Sequence, residues 1–77
     1  MRAYVLVTTG AAETAGAAQA LPGLSGVRDT VLIDRGPYDI VCTVEGADRE
    51  SIYQTVMNGI LGLQGVKRVY TCVVKES

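Results

Sequence analysis

The apolar positions of this chain fall into runs with strand character separated by two stretches of helical spacing. Ala3-Tyr4-Val5-Leu6-Val7-Thr8 is aromatic and β-branched and is apolar at both odd and even positions. A strand apolar on both faces belongs in the middle of a sheet. Thr9-Gly10 breaks the run, and Ala11 to Leu21 reads as a helix, with Gly10 at its N-cap and Glu13 in the first turn, where the helix dipole favours a carboxylate. Alanine propensity carries this helix more than a greasy stripe does. Gly16 weakens it by roughly 1 kcal/mol relative to Ala, and Pro22-Gly23 ends it.

Val27 to Ile33 and Asp39 to Glu45 read as the second and third strands, joined antiparallel by Asp34-Arg35-Gly36-Pro37-Tyr38-Asp39. This stretch is expected to be a tight reversal. Gly36 tolerates the positive φ that such turns need, and Pro37 presets φ for the second turn position. Asp39 stands at the mouth of the strand, where its carboxylate can accept from turn N–H groups or from a bound ammonium. The same residues also suffice merely to close a hairpin.

Gly46-Ala47-Asp48 leads into a second helix, from about Arg49 to Leu61, with Asp48 as its cap. Ile52, Val56, Ile60 and Leu63 form its buried stripe, with Tyr53, Met57 and Leu61 beside them. Gly62 and Gly65 stop it, a last strand runs from Val66 to Val74, and Lys75-Glu76-Ser77 is a polar tail. The order β-α-β-β-α-β predicts an α+β, ferredoxin-like fold spanning residues 1–77 as a single domain: a four-stranded antiparallel sheet with both helices on one face. An internal echo fits two related halves, since Leu24-Ser25-Gly26-Val27-Arg28 enters the second strand much as Leu63-Gln64-Gly65-Val66-Lys67 enters the fourth.

Helices on one face leave the other to be covered, and the first three strands are apolar on both. A second copy stacked sheet to sheet in a two-fold dimer is the simplest cover, and a monomer with an exposed apolar face is the alternative.

Composition sharpens this expectation. A chain of 77 residues buries only roughly 60% of its unfolded surface and is marginal alone, so disulfides, metal or oligomerisation are the usual remedies. Cys42 and Cys72 form no disulfide framework and no Cys-x-x-Cys motif, and there is no histidine, which argues against zinc. Oligomerisation remains, in keeping with a hydrophobic share of 48%. Seven basic and eight acidic residues, net charge −1, are scattered without a basic stripe, so nucleic acid is a poor direct partner. No apolar run approaches a membrane span, and a cytoplasmic location is expected.

Little here is equipped for catalysis. Without histidine, proton transfer would fall to Asp34, Asp39, Tyr4, Tyr38, Tyr53 or Tyr70, which nothing in the sequence pairs. Both cysteines lie in apolar strands and are expected to be inert packing residues. Gly59-x-x-Gly62-x-x-Gly65 ends a helix rather than opening one, so it is no phosphate loop and implies no nucleotide cofactor. The reading is a non-enzyme, with a small dimeric ferredoxin-like enzyme as a rival.

Taken together, strand, helix, Leu-x-Gly-Val, strand, Gly-x-Tyr-Asp, apolar strand, helix and a second Leu-x-Gly-Val before a Thr-bearing strand resemble the effector-binding RAM domain of Lrp/AsnC regulators over nearly the whole chain. The resemblance implies dimers of stacked sheets assembled into rings, with a free amino acid bound between dimers near the Gly-x-Tyr-Asp loop. Gly36, Tyr38 and Asp39 match that loop, and Thr71 matches a hydroxyl position on the last strand. Val69 stands where many members have another Thr, which points to a more apolar ligand or to none, and Pro37 removes a backbone donor. On this resemblance the domain stands alone, without preceding DNA-binding helices, and modulates transcription by co-assembly with a full-length regulator. A second module of this topology, the ACT type, binds amino acids near the first strand-to-helix loop, here Thr8-Thr9-Gly10.

Overall fold

The first strand, β1 (Arg2–Thr9), lies inside the sheet, as its two-sided apolar pattern requires. A computed structural model of the chain describes residues 1–75, so Glu76 and Ser77 of the expected polar tail lie outside the described residues. β2 (Val27–Leu32), β3 (Ile40–Glu45) and β4 (Val66–Val73) complete one sheet in the order β2-β3-β1-β4, with every neighbouring pair antiparallel. With two helices crossing between the strands, this is the expected ferredoxin-like α+β fold.

The first helix is less regular than its alanine content suggests. Only Thr14–Ala20, α1, is α-helical, flanked by 3-10 turns at Ala11–Glu13 and Leu21–Gly23. It buries Ala17 and, in the following turn, Leu21. The second helix starts as α2 (Arg49–Gln54), widens into a π-helical turn over Thr55–Gly59 and tightens into a 3-10 turn at Ile60–Gly62. Its cap is the one expected: Asp48 Oδ1 accepts from Ser51 N at 2.8 Å, and Ser51 Oγ accepts from Asp48 N at 3.2 Å. Ile52, Val56 and Ile60 are buried, Leu63 packs against them, and Tyr53, Met57 and Leu61 face solvent.

Residues paired across antiparallel strands project to the same face. The helix-facing side carries Ala3, Val5 and Val7 from β1, Val27 from β2, and Ile40, Cys42 and Val44 from β3, all buried. The opposite face is uncovered. There the registers align one residue from each strand in a row across the whole sheet: Val31 beside Val41, Val41 beside Leu6, and Leu6 beside Tyr70. Val31 is 54% exposed and Tyr70 44%.

Two expectations need correction. The β2–β3 connection is not a tight turn but a wider loop from Ile33 to Asp39, closed at its base by Ile33 N–H donating to Asp39 O at 2.9 Å. β2 ends at Leu32 rather than Ile33 and β3 begins at Ile40 rather than Asp39, which places Pro37 inside this loop rather than at a turn between adjoining strand ends. Cys72, expected to be buried packing, is exposed on the uncovered face opposite Tyr4, because β4 is an edge strand and this alternate position points away from the helices.

Candidate functional site

Most of the candidate chemistry collects at the end of the sheet where β3 begins. The last β1–β3 pair is Val7 with Ile40, and Asp39 N–H extends that ladder by donating to Val7 O at 2.9 Å. β1 continues past this point, so the Thr9 N–H has no strand partner on the β3 side. The Asp39 carboxylate fills that place. Its Oδ2 accepts from Thr9 N at 2.8 Å and from the Thr9 hydroxyl at 3.3 Å. The carboxylate expected to cap turn N–H groups therefore reaches across to a neighbouring strand, where an unpaired buried donor would otherwise be costly.

The contact runs on into the first helix. The Thr9 hydroxyl, on a residue only 9% exposed, lies 2.6 Å from the Thr14 hydroxyl, which donates to it because the Thr9 proton goes to Asp39, and Gly10 O lies 3.3 Å from Thr14 Oγ1. Gly10 N–H in turn donates to Gly65 O at 3.0 Å, tying this exit from β1 to the entrance of β4. Glu13 lies over both glycines, so that a Cβ on Gly10 or Gly65 would run into its side chain. At Thr8-Thr9-Gly10, the loop of the rival reading, the Glu13 carboxylate is the group that lies over Gly10.

At the loop apex Gly36 holds φ +147°, the conformation for which a glycine was expected. Tyr38 packs edge-on against Tyr70, with ring centroids 5.6 Å apart and planes at 67°. Gly36, Tyr38 and Asp39 therefore share one loop. Thr71 is apart from them. It pairs with Val5 between Val69 and Val73, both packed on the core, and so faces the helices, whereas Tyr70 faces the uncovered side. The β4 residue that meets the loop is Tyr70. Alternation along Val69-Tyr70-Thr71-Cys72-Val73 is the signal that could have separated the two. Thr9 and Thr14, the partners of the loop carboxylate, have no comparable local signal.

Burial pushes the Cys42 thiol up to about 11, so it stays protonated and packs as a small apolar group. The surface grooves lie elsewhere. One of about 410 Å³ runs between Ala12, Gly16, Ala20 and Leu63, and another of about 410 Å³ lies by Met1, Arg2, Glu45 and Gly46. Neither includes the Gly36–Asp39 loop. No helix among the described residues is long and apolar enough to cross a membrane.

Fold and loop together define a small βαββαβ domain with one bare sheet face and a clasped carboxylate at the sheet end, and solved structures share its fold. TTHA0845 from Thermus thermophilus is 30% identical, over 99% of this chain and 94% of that one, with a TM-score of 0.91. The chain belongs to the same family as that protein. Escherichia coli AsnC superposes at TM-score 0.89 with 17% identity, over 99% of this chain and 51% of its own. The Neisseria meningitidis transcriptional regulator NMB0573, solved as a complex with L-Met, superposes at 0.81 with 19% identity, over 97% and 50%. The chain spans about half the length of these two regulators, and at such identities the likeness is one of fold. The fold also serves the E. coli Tat proofreading chaperone NapD, at 17% identity and TM-score 0.79, so fold alone does not choose a function. No protein-family model matches the chain. No curated protein matches its sequence.

Proposed function

We propose that this chain is a RAM-type effector-binding domain that binds a free amino acid at the Gly36–Asp39 loop and self-associates through its uncovered sheet. The observation that carries the reading is the Asp39 carboxylate, held at the sheet end by a buried residue rather than spent within its own loop. A fixed carboxylate is a ready acceptor for an α-ammonium group. The AsnC-like fold and the L-Met complex of one regulator of that fold support the choice of ligand class.

The uncovered face has the anatomy of a self-association surface. Its middle is the apolar row Val31, Val41, Leu6 and Tyr70, with Arg2, Arg28 and Glu45 at one end, Arg68 at the other, and Asp29 on the edge strand β2 in the row of Thr43, Tyr4 and Cys72. A second copy is the occupant of this face. The grooves described above do not include the loop, so a neighbouring subunit completes the enclosure of the ligand. Regulation then follows from a shift among assembly states, which requires the amino acid to bind one state more tightly than another. Co-assembly with a full-length DNA-binding regulator is how such a shift would reach transcription.

A thermal-shift screen of the twenty amino acids coupled to light scattering tests this. The expected result is that one or a few amino acids raise the melting temperature and change the particle mass, and that Asp39→Ala removes the response while the protein stays folded. No response to any of the twenty, or a compact monomer throughout, would overturn the reading.

A further inference from the structure

The clasp around Asp39 uses one carboxylate oxygen. Both Thr9 donors, backbone and hydroxyl, converge on Oδ2, and among the described residues Oδ1 accepts from none. An ionised carboxylate can accept along about four lone-pair directions, so the group is anchored on one side and open on the other. Turning it over would abandon a charge-assisted bond to a backbone N–H that has no alternative strand partner. The hydroxyl half of the anchor is itself held, because Thr14 Oγ1 lies 2.6 Å behind it.

We propose that Thr9 is a positioning residue, which pins Asp39 Oδ2 so that Oδ1 is presented to the primary ammonium of a small ligand, with Thr14 keeping the Thr9 hydroxyl in place. This rests on the amino-acid reading above and narrows it. The ligand group selected at this end is an ammonium, and a ligand whose nitrogen is acylated loses the charge, keeps a single N–H and carries an acyl group on the side that faces Oδ1. The first strand-to-helix loop thereby takes part in a site on a different loop: Thr9 serves through Asp39, not by touching the ligand.

The test compares Thr9→Val, which replaces the hydroxyl by a methyl and keeps the backbone donor, with Thr9→Ser, which keeps the hydroxyl. Calorimetric titrations use the amino acid that most raises the wild-type melting temperature, and its N-acetyl derivative. Thr9→Val is expected to weaken binding by about three- to tenfold, the order of one ordinary hydrogen bond, since the backbone half of the anchor remains. Thr9→Ser is expected to bind like wild type, and the N-acetyl derivative not to bind. Wild-type affinity in Thr9→Val, or equal affinity for the acylated ligand, would overturn the proposal. Exchange of the Thr9 amide proton separates its failure from that of the underlying reading. If no amino acid binds but Asp39→Ala, which removes the acceptor, strips protection from this amide, the clasp is real and the amino-acid reading is what fails. Unchanged protection in Asp39→Ala overturns the positioning itself.

Discussion

The chain leaves its sheet for a helix twice, after Thr9 and after Glu45, and the two exits share a backbone plan while differing in side chains. At the first, Gly10 N–H donates to Gly65 O at 3.0 Å; at the second, Glu45 N–H donates to Gly26 O at 2.8 Å. Gly26 and Gly65 hold nearly the same left-handed conformation, φ +94° and +87°. The turns that precede them are also alike: Leu24 N–H donates to Leu21 O and Val27 N–H to Leu24 O, matched by Leu63 to Ile60 and Val66 to Leu63. Around this common frame the first exit gathers Asp39, Thr9 and Thr14 in a partly buried clasp. The second carries mainly solvent-exposed groups, the Asp48–Ser51 capping box and the ion pairs of Glu45 with Arg2 at 3.6 Å and Arg28 at 3.2 Å, with the Thr55 hydroxyl beside Ser25 O at 3.3 Å and, among the described residues, no carboxylate in its partly buried contacts. A repeated frame with one-sided elaboration separates what the fold needs twice from what a single site needs once.

The glycines give the largest handle on the comparison. Ala at Gly26 must adopt a left-handed φ with its Cβ 3.0 Å from Glu45 O, which is expected to cost about 1–3 kcal/mol. Ala at Gly65 meets the same backbone strain and also collides with the Glu13 side chain, so Gly65→Ala is expected to lower the melting temperature further. Because Glu13 Cβ is the atom such a methyl meets first, the extra loss should disappear in a Glu13→Gly background, measured against Glu13→Gly alone. Equal melting temperatures for Gly26→Ala and Gly65→Ala in the wild-type background would show that Glu13 does not guard the first exit.

Next in size is the cap of the second exit. The backbone N–H of Ser51, and then its hydroxyl, hold the Asp48 carboxyl below its ordinary value. A carboxylate whose pKa is depressed on folding stabilises the protein above its unfolded pKa, near 3.9, and that contribution fades as pH falls through the folded value. Asp48→Ala should therefore melt below wild type at neutral pH, with the gap closing as pH drops through the acid range. A gap that stays constant with pH would assign the loss to something other than the charge.

The smallest effect belongs to the exposed pairs. Glu45, Arg2 and Arg28 side chains are 40%, 54% and 60% exposed, and screened pairs of this kind contribute about 0–1 kcal/mol. Glu45→Gln should shift the melting temperature by no more than a few degrees, and less in high salt. A larger loss that salt leaves untouched would mean that the second exit is as specialised as the first.

Much of the frame could be read from local pattern. The two-sided run Ala3–Thr8 placed β1 inside the sheet, the spacing of Ile52, Val56 and Ile60 marked the buried side of the second helix, and the repeated Leu-x-Gly-Val anticipated the two matching turns. Asp48 was recognisable as a cap because its partner sits three residues away. The candidate site was only half visible. Gly36 and Asp39 stood out by their turn chemistry and Tyr38 by the Gly-x-Tyr-Asp resemblance, but Asp39 closes on Thr9, thirty residues distant, and Tyr70 rather than Thr71 meets the loop.

Sequence alone determined where strands and helices form and which reversals need a glycine, because those preferences act within a few residues of chain. Tertiary structure decided the rest: which face of the sheet stays bare, which cysteine is exposed, and which backbone donor the loop carboxylate meets. Those outcomes depend on strand order and register. Register sets which N–H groups at a strand end are left unpaired, and an unpaired buried donor draws in whichever acceptor the fold has brought beside it.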